Sequence, residues 1–456
     1  MRNWLIAVLT LASCGSSARV WAQGYGLYEQ GTCAMGRTGA GVASPCDDGS
    51  AIFFNPAALT ASPSVVSGGL TGIAPRGTFT NDTTSLVSPL NDRTFPVPAA
   101  YFAHPINPRA VVGFGVFAPY GLTSDWPSDS EGRFIGYKSS VKGVYFQPTA
   151  AFKLSDRVSV GAGFDITYAS VELRRRLDLN PVPLPGAPPG VTFGALGVPR
   201  GTDFGDVRLT ATSHGFGAHF GAMMKANDMV SFGVRYLTRQ HIDFNNGDLA
   251  STQVPTNLRT PVPLPGIPAG TPIDVLLAPQ FQAGATLGPQ SASTTLPFPD
   301  QFVVGAAIRP NAQFALFVDY QFTNWSLFDQ IVIDNSVAPT TTMVESYDNT
   351  SGLRLGAEYT LKGGTILRGG FDAHNAGAPD QTVTPLLPEA PRREFALGVG
   401  IPIQRARIDV AYQYVDQEDR RGRTTDGGLA VPTAAVNNGV YQYHANLFGA
   451  SVVLKF

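Results

Sequence analysis

Charge is scarce in this sequence. Asp, Glu, Lys and Arg make up 14% of its 456 residues, against roughly 25% in ordinary soluble domains. The formal net charge is −2, so no basic excess points to a nucleic-acid partner. Long apolar runs are missing too. Past the extreme N-terminus there is no stretch of about 18 apolar residues, which argues against membrane-spanning helices. Cysteine is nearly absent, with three residues. No C-x-x-C occurs, and no Cys/His cluster has zinc spacing. The six histidines are scattered, and G-x-S-x-G is absent. The sequence therefore gives no reason to assign catalytic residues, a metal or a cofactor.

What it does contain is Gly (50), Phe (28) and a strong period-two pattern. Before that pattern begins, Arg2 and the apolar Leu5–Ala12 stretch read as an export signal. Val20-Trp21-Ala22 fits its cleavage site, so residues 1–22 are set apart from the fold. A rival reading takes Leu11-Ala12-Ser13-Cys14 as a lipoprotein box. Cleavage after Ala22 leaves Cys33 and Cys46 in the mature chain. In an oxidising compartment an even pair suggests a disulfide; two free buried thiols are the alternative.

From about residue 64 apolar and polar residues alternate. In "VSVGAGFDITYASVE", Val160, Phe164, Ile166 and Tyr168 share one face, and Ser159, Asp165 and Thr167 the other. Phe314–Trp325 and Arg405–Val415 repeat the pattern. In a soluble sandwich the apolar face would be the core; in an outer-membrane barrel it would meet lipid. Connection lengths separate the two. About fourteen strand-like segments start near residues 64, 96, 110, 140, 157, 205, 228, 297, 312, 350, 364, 391, 405 and 440. Short turns such as "PINPR", "KAND", "RPNA" and "LKGG" alternate with long connections at 119–139, 178–204, 247–296, 331–349, 375–390 and 416–439. That is the layout of an up-and-down barrel with short periplasmic turns and long extracellular loops. The long loops are Pro-rich and apolar, and they are expected to pack on one another over the mouth. The chain ends "HANLFGASVVLKF", and a terminal Phe456 in a last strand resembles the signal read by the barrel-assembly machinery.

Residues 23–61 break the alternation. Asp47 or Asp48 can cap a short helix over Ser50–Phe54, and Asn55 a second turn with Pro56 first. So small a piece cannot hold its own core, and the barrel lumen is its natural place. The expected organisation is a signal at 1–22, an N-terminal hatch at 23–61 and an all-β, about 14-stranded antiparallel transmembrane barrel at 62–456.

The segments "GYGLYEQGTCAMGRTGAG", "NPAAL", "FAPYGLTSDWPSDSEGRF", "FQPTAAFKLSDRVSVGAGFDI", "FALFVDYQFTNWSLFD", "LRGGFDAHNAGAPD" and "TPLLPEAPRREFALGVG", in that order, resemble the outer-membrane transporters of long-chain fatty acids and aromatic hydrocarbons, the FadL/TodX type. The resemblance implies passive uptake of a hydrophobic molecule into the outer membrane of a Gram-negative-type bacterium. Capture on extracellular loops, passage through a lumen pocket gated by the hatch, and lateral release into lipid would follow. No ATP or redox cofactor is required. Release into lipid is physically downhill, at about 0.8 kcal/mol per buried methylene. The resemblance marks Asn55, Pro56 and Ala57 as the hatch motif. Pro119 and Gly121 are candidates for a wall kink at the end of the third strand, because proline cannot donate to a ladder. Phe317, Trp325, Arg354, Arg368 and Asp372 are candidates for the lumen pocket. A lumen salt-bridge network is the plainer role for the charged three, and an interfacial girdle for Trp325. A general porin or a structural or adhesion barrel is the alternative function.

Overall fold

The structure is a computed structural model. It describes residues 24–456 apart from 83, 265, 380–381, 423–424, 427–428 and 431–438. The expected signal at 1–22, with Cys14, lies outside the described residues.

Fourteen antiparallel strands close into a barrel. They are β1 (Val65–Asn81), β2 (Phe95–Asn107), β3 (Ala110–Asp125), β4 (Lys138–Lys153), β5 (Val158–Asp178) and β6 (Asp203–Lys225). Next come β7, in two runs (Val230–Leu237 and Gln240–Gln253), and β8, also in two (Gln290–Phe298 and Gln301–Ile308). The circuit continues with β9 (Phe314–Thr323), β10 (Thr350–Thr360), β11 (Ile366–His374), β12 (Arg392–Ile403), β13 (Ala406–Gly422) and β14 (Gly439–Lys455). Each pairs with its sequence neighbour, and β14 closes on β1 from Lys455↔Val65 to Gly439↔Asn81.

The orientation of the faces settles the choice between sandwich and barrel. Phe164, Ile166 and Tyr168 are 50%, 38% and 42% exposed, while Asp165 and Thr167 between them are fully buried. On β13, Ile408 and Val410 are exposed and Arg407, Asp409 and Gln413 buried. Large apolar side chains outside and polar ones inside is a stable arrangement only when the outside solvent is lipid. No helix among the described residues is long and apolar enough to cross a membrane; the strands cross instead.

Two expectations about strand limits need correcting. The third strand does not end at Pro119; β3 runs on to Asp125. Its ladder with β4 shifts register between Phe117 and Tyr120, so a bulge absorbs the proline that cannot donate. The eighth strand starts at Gln290 rather than near 297 and is interrupted after Phe298.

Residues 24–61 lie against the inner wall. They carry α1 (Thr32–Met35), α2 (Ala51–Phe54) and a 3₁₀ turn over Pro56–Ala61. A disulfide joins Cys33 to Cys46. At the far end the connections 179–202 and 254–289 build a small core from Leu179, Phe193, Ile273 and Leu277 together with Phe204 of β6.

Candidate functional site

The wall has a window between β2 and β3. Their ladder stops at Ala100↔Val116. Above that pair Phe95–Ala99 still bonds β1, and Tyr120–Asp125 still bonds β4, but the two do not meet. The window closes again at the top, where Asn91 N–H donates to the Asp125 carbonyl (2.9 Å) and Arg93 pairs with the Asp125 carboxylate (3.1 Å). The bulge at Ala118-Pro119 is what turns β3 away from β2.

An unpaired β-edge inside a membrane wall is costly, and the N-terminal segment satisfies it. Leu27 N–H donates to the Pro119 carbonyl and Gly121 N–H to the Tyr25 carbonyl, both at 2.8 Å. Gly26 and Tyr120 form the bridge between them. Gln30 completes the strap. Its amide donates to the Ala118 carbonyl (2.7 Å) and accepts from Ala118 N–H (2.9 Å). Residues 25–27 thus act as a detached strand laid along the free edge of β3. The pairing of β6 with β7 also lapses, between Thr210↔Asp248 and His219↔Leu237. There Gln240 and Ile242 close over Gly215 and Gly217, where an added Cβ would fall 2.3 Å from Ile242 Cδ1 at the first and 2.7 Å from Gln240 Nε2 at the second.

A cavity of about 360 Å³ joins this window to the lumen. Phe95–Pro98, Leu27 and Leu122 line its apolar end, and Lys142, an exposed side chain of β4, lies at the outer lip. Its inner end is polar, with Glu29, Arg354, His374, Arg392 and Glu394. A second cavity of about 340 Å³ lies at the mouth, between the outer ends of β5–β7 and the loops. Leu173, Leu177, Val207, Leu209 and Leu249 make it apolar, and Arg175 enters it. Arg175 is exposed, and its guanidinium has no hydrogen-bond or ion-pair partner among the described residues.

The Asn55-Pro56-Ala57 turn is clamped from three sides. Asn55 Oδ1 accepts from Ala57 N–H (3.1 Å), which caps the 3₁₀ turn. Its Nδ2 donates to the Val42 carbonyl (2.7 Å) within the segment and to the Ala222 carbonyl of β6 (3.1 Å). The wall beneath is glycine. Gly161 and Gly221 face each other across β5 and β6; an added Cβ would sit 2.4 Å from the Pro56 carbonyl carbon at the first and 2.2 Å from Asn55 Oδ1 at the second. Elsewhere Asp319 accepts from Gly41 and Val42 N–H (2.7 and 2.9 Å), and Arg37 pairs with Glu358 (3.0 Å). Asp48 accepts from Ser50 N–H (2.9 Å) ahead of α2, whereas Asp47 is drawn away to Arg407 and Lys455.

A profile described as "Outer membrane protein transport protein (OMPP1/FadL/TodX)" matches residues 13–456. The chain belongs to the OMPP1/FadL/TodX family. It is 24% identical over 437 residues to the long-chain fatty acid transport protein of Escherichia coli O6:H1, covering 93% of this chain and 94% of that one. It is 23% identical over 489 residues to outer membrane protein P1 of Haemophilus influenzae, covering 100% and 99%. Among solved structures, a FadL homologue from Pseudomonas aeruginosa superposes with a TM-score of 0.75 at 20% identity, over 95% of this chain and 100% of that one. The toluene transporter TodX of Pseudomonas putida gives 0.64 at 14%, over 95% and 99%. Like other proteins of this OMPP1/FadL/TodX group, the chain is thus an outer-membrane β-barrel.

Within this OMPP1/FadL/TodX barrel the residues singled out from sequence fall in different places. Arg354 lines the window cavity, and its Nη2 lies 3.1 Å from Asp372 Oδ2. Arg368 sits in a separate network with Glu358 (3.0 Å) and Asp409 (2.7 Å). Phe317 packs under the Arg37 guanidinium, 4.2 Å from its ring centre. Trp325 is no girdle aromatic: it is fully buried, 4.5 Å from the Tyr25 ring, behind the strap. Sequence reading missed Gln30, Glu29, Glu389, Arg175 and the glycine floor. Glu389 accepts from Gly24, Gly377 and Ala378 N–H and so anchors the start of the strap. Arg175 stood in plain view in the run Arg174-Arg175-Arg176, whose neighbours Arg174 and Arg176 are paired with Glu172 and Asp206.

Proposed function

We propose that this protein takes up hydrophobic compounds passively across the outer membrane. Long-chain fatty acids fit best, with aromatic hydrocarbons as the second class. The observation that carries the reading is the cavity running from the lumen to the β2–β3 window under the Tyr25–Leu27 strap. A molecule leaving through it enters lipid without crossing water, which keeps the free energy gained by burying its chain. The strap and the Asn55-Pro56-Ala57 turn belong to the hatch that gates this route. Pro119 acts through the bulge that makes the window, and Gly121 through its bond to the strap. Capture begins in the mouth cavity. An apolar groove with a water-exposed guanidinium at its rim suits an amphiphile whose head is a carboxylate; toluene has no group to meet that charge.

The test is uptake of radiolabelled oleate and of toluene by cells lacking their own transporters. Expression of this protein is expected to raise oleate uptake well above background. Arg175→Gln is expected to lower oleate uptake several-fold at sub-saturating concentration and to leave toluene unaffected. Large steady ion conductance in planar bilayers, with no oleate uptake, would favour a general porin instead.

A further inference from the structure

Asp372 and His374 stand two residues apart on β11, so their side chains share the inner face. The β11–β12 register sets Glu394 directly opposite Asp372. His374 Nε2 is 3.0 Å from Glu394 Oε1 and 3.7 Å from Asp372 Oδ2. One ligand atom from each of the three lies within 4.8 Å of the others. Two N or O ligands held at the usual distance from a tetrahedral zinc ion are about 3.4 Å apart, so the two measured separations bracket the required one. Three residues are fully or almost fully buried, at 0%, 1% and 7% exposure for Asp372, His374 and Glu394.

The protein's own hydrogen bonds do not use up this cluster. Asp372 Oδ1 is buried with no partner, which leaves a carboxylate short of an electrophile. Arg354 holds Asp372 Oδ2, so Oδ1 is the oxygen left for an ion, and His374 Nδ1 is likewise buried with no partner. Arg354 reaches Asp372 (3.1 Å), and Gln413 Nε2 donates to Glu394 Oε2 (2.7 Å) and to Glu29 Oε1 (2.9 Å). Three carboxylates (Glu29, Asp372 and Glu394) therefore surround two cations, Arg354 and, from the cavity wall, Arg392. The other Cys- and Glu-containing group of similar tightness, Cys33, Cys46 and Glu358, is excluded because its sulfurs are joined to each other.

We propose that Asp372, His374 and Glu394 bind a transition-metal dication of the zinc class. One imidazole and two carboxylates suit such an ion better than calcium or magnesium. His374 and Glu394 line the window cavity, so the remaining coordination position faces it and takes water or a carboxylate. The ion links β11 to β12 and, through Gln413, sets the position of Glu29 beside the strap.

Untagged full-length protein, purified in detergent and stripped with a chelator, is dialysed against Zn²⁺ and assayed by mass spectrometry. One Zn²⁺ per chain is expected. His374→Ala and Glu394→Gln should each weaken binding at least about tenfold, and His104→Ala, at an exposed strand position, should leave it unchanged. Co²⁺ should give visible absorption bands of mixed N/O ligation that vanish in His374→Ala. Heat-modifiable gel migration verifies that each variant is a folded barrel; if one is not, the other carries the comparison. No Zn²⁺ above background, or wild-type binding by the folded variants, overturns the proposal.

Discussion

Asn55 shows how one side chain can hold a segment and a wall together. Its amide caps the 3₁₀ turn and bonds both Val42 and Ala222, while Gly161 and Gly221 leave room for it to approach. Loss of such a cap costs about 0.5–2 kcal/mol, too little to unfold a barrel but enough to loosen the turn. Asn55→Ala and Gly221→Ala are therefore expected to insert normally, as seen by heat-modifiable migration, and to take up oleate poorly. Normal uptake by both inserted variants would remove the turn from the mechanism. The "NPAAL" motif was legible because Asn before Pro has a local meaning. The glycine floor was not, because Gly161 and Gly221 make sense only once β5 and β6 are in register. Glu345, in the loop beyond β9, is a second case. Burial, and then the charge of Glu389, push its carboxyl up to about 8, from an ordinary 4.5. Between those values the folded loop keeps a proton that the opened loop releases, so loop stability falls as pH rises through that window and levels off above it. Hydrogen exchange at residues 345–349, corrected for intrinsic rates, should show more opening at pH 9 than at pH 6. Glu345→Gln should abolish the difference.

The elements were readable wherever period two is strict. β5 begins at Val158, against 157 from sequence, because Val160, Phe164, Ile166 and Tyr168 leave only one register. β8 was placed late because "QSASTTL" offers small polar residues instead of an apolar stripe. β3 was cut short because Pro119 reads as a stop, and only the bulge shows how a strand passes it. The strap could not be read at all: its bonds join Tyr25 and Leu27 to residues near 120, and Gly24 to Glu389. It does make a prediction. Leu27→Pro removes one donor from the strap–β3 pairing. A lost bond of about 1 kcal/mol corresponds to roughly fivefold faster opening. The Gly121 amide should exchange faster by about that factor, with amides of the β9–β10 ladder unchanged. Equal protection in the variant would mean that the strap does not hold the β3 edge.

At the scale of the molecule, the barrel is closed by thirteen sequential ladders and the β14–β1 seam, and between β2 and β3 it is interrupted beside two residues. Ala118 and Pro119 bulge β3, and the β2–β3 ladder ends just before the bulge, where the lumen cavity meets the wall. The N-terminal segment lies in the lumen against this wall, with Gln30 and Tyr25–Leu27 along the β3 edge. The central claim is that substrate leaves through this window. It is tested most directly by deleting Ala118 and Pro119, which removes the bulge and lets β3 run alongside β2. The measurement is oleate uptake by cells that have no other transporter, with barrel folding checked by heat-modifiable migration. Uptake at background level by a folded deletion variant is the predicted result. Uptake equal to the unaltered protein's would contradict lateral release through the β2–β3 window.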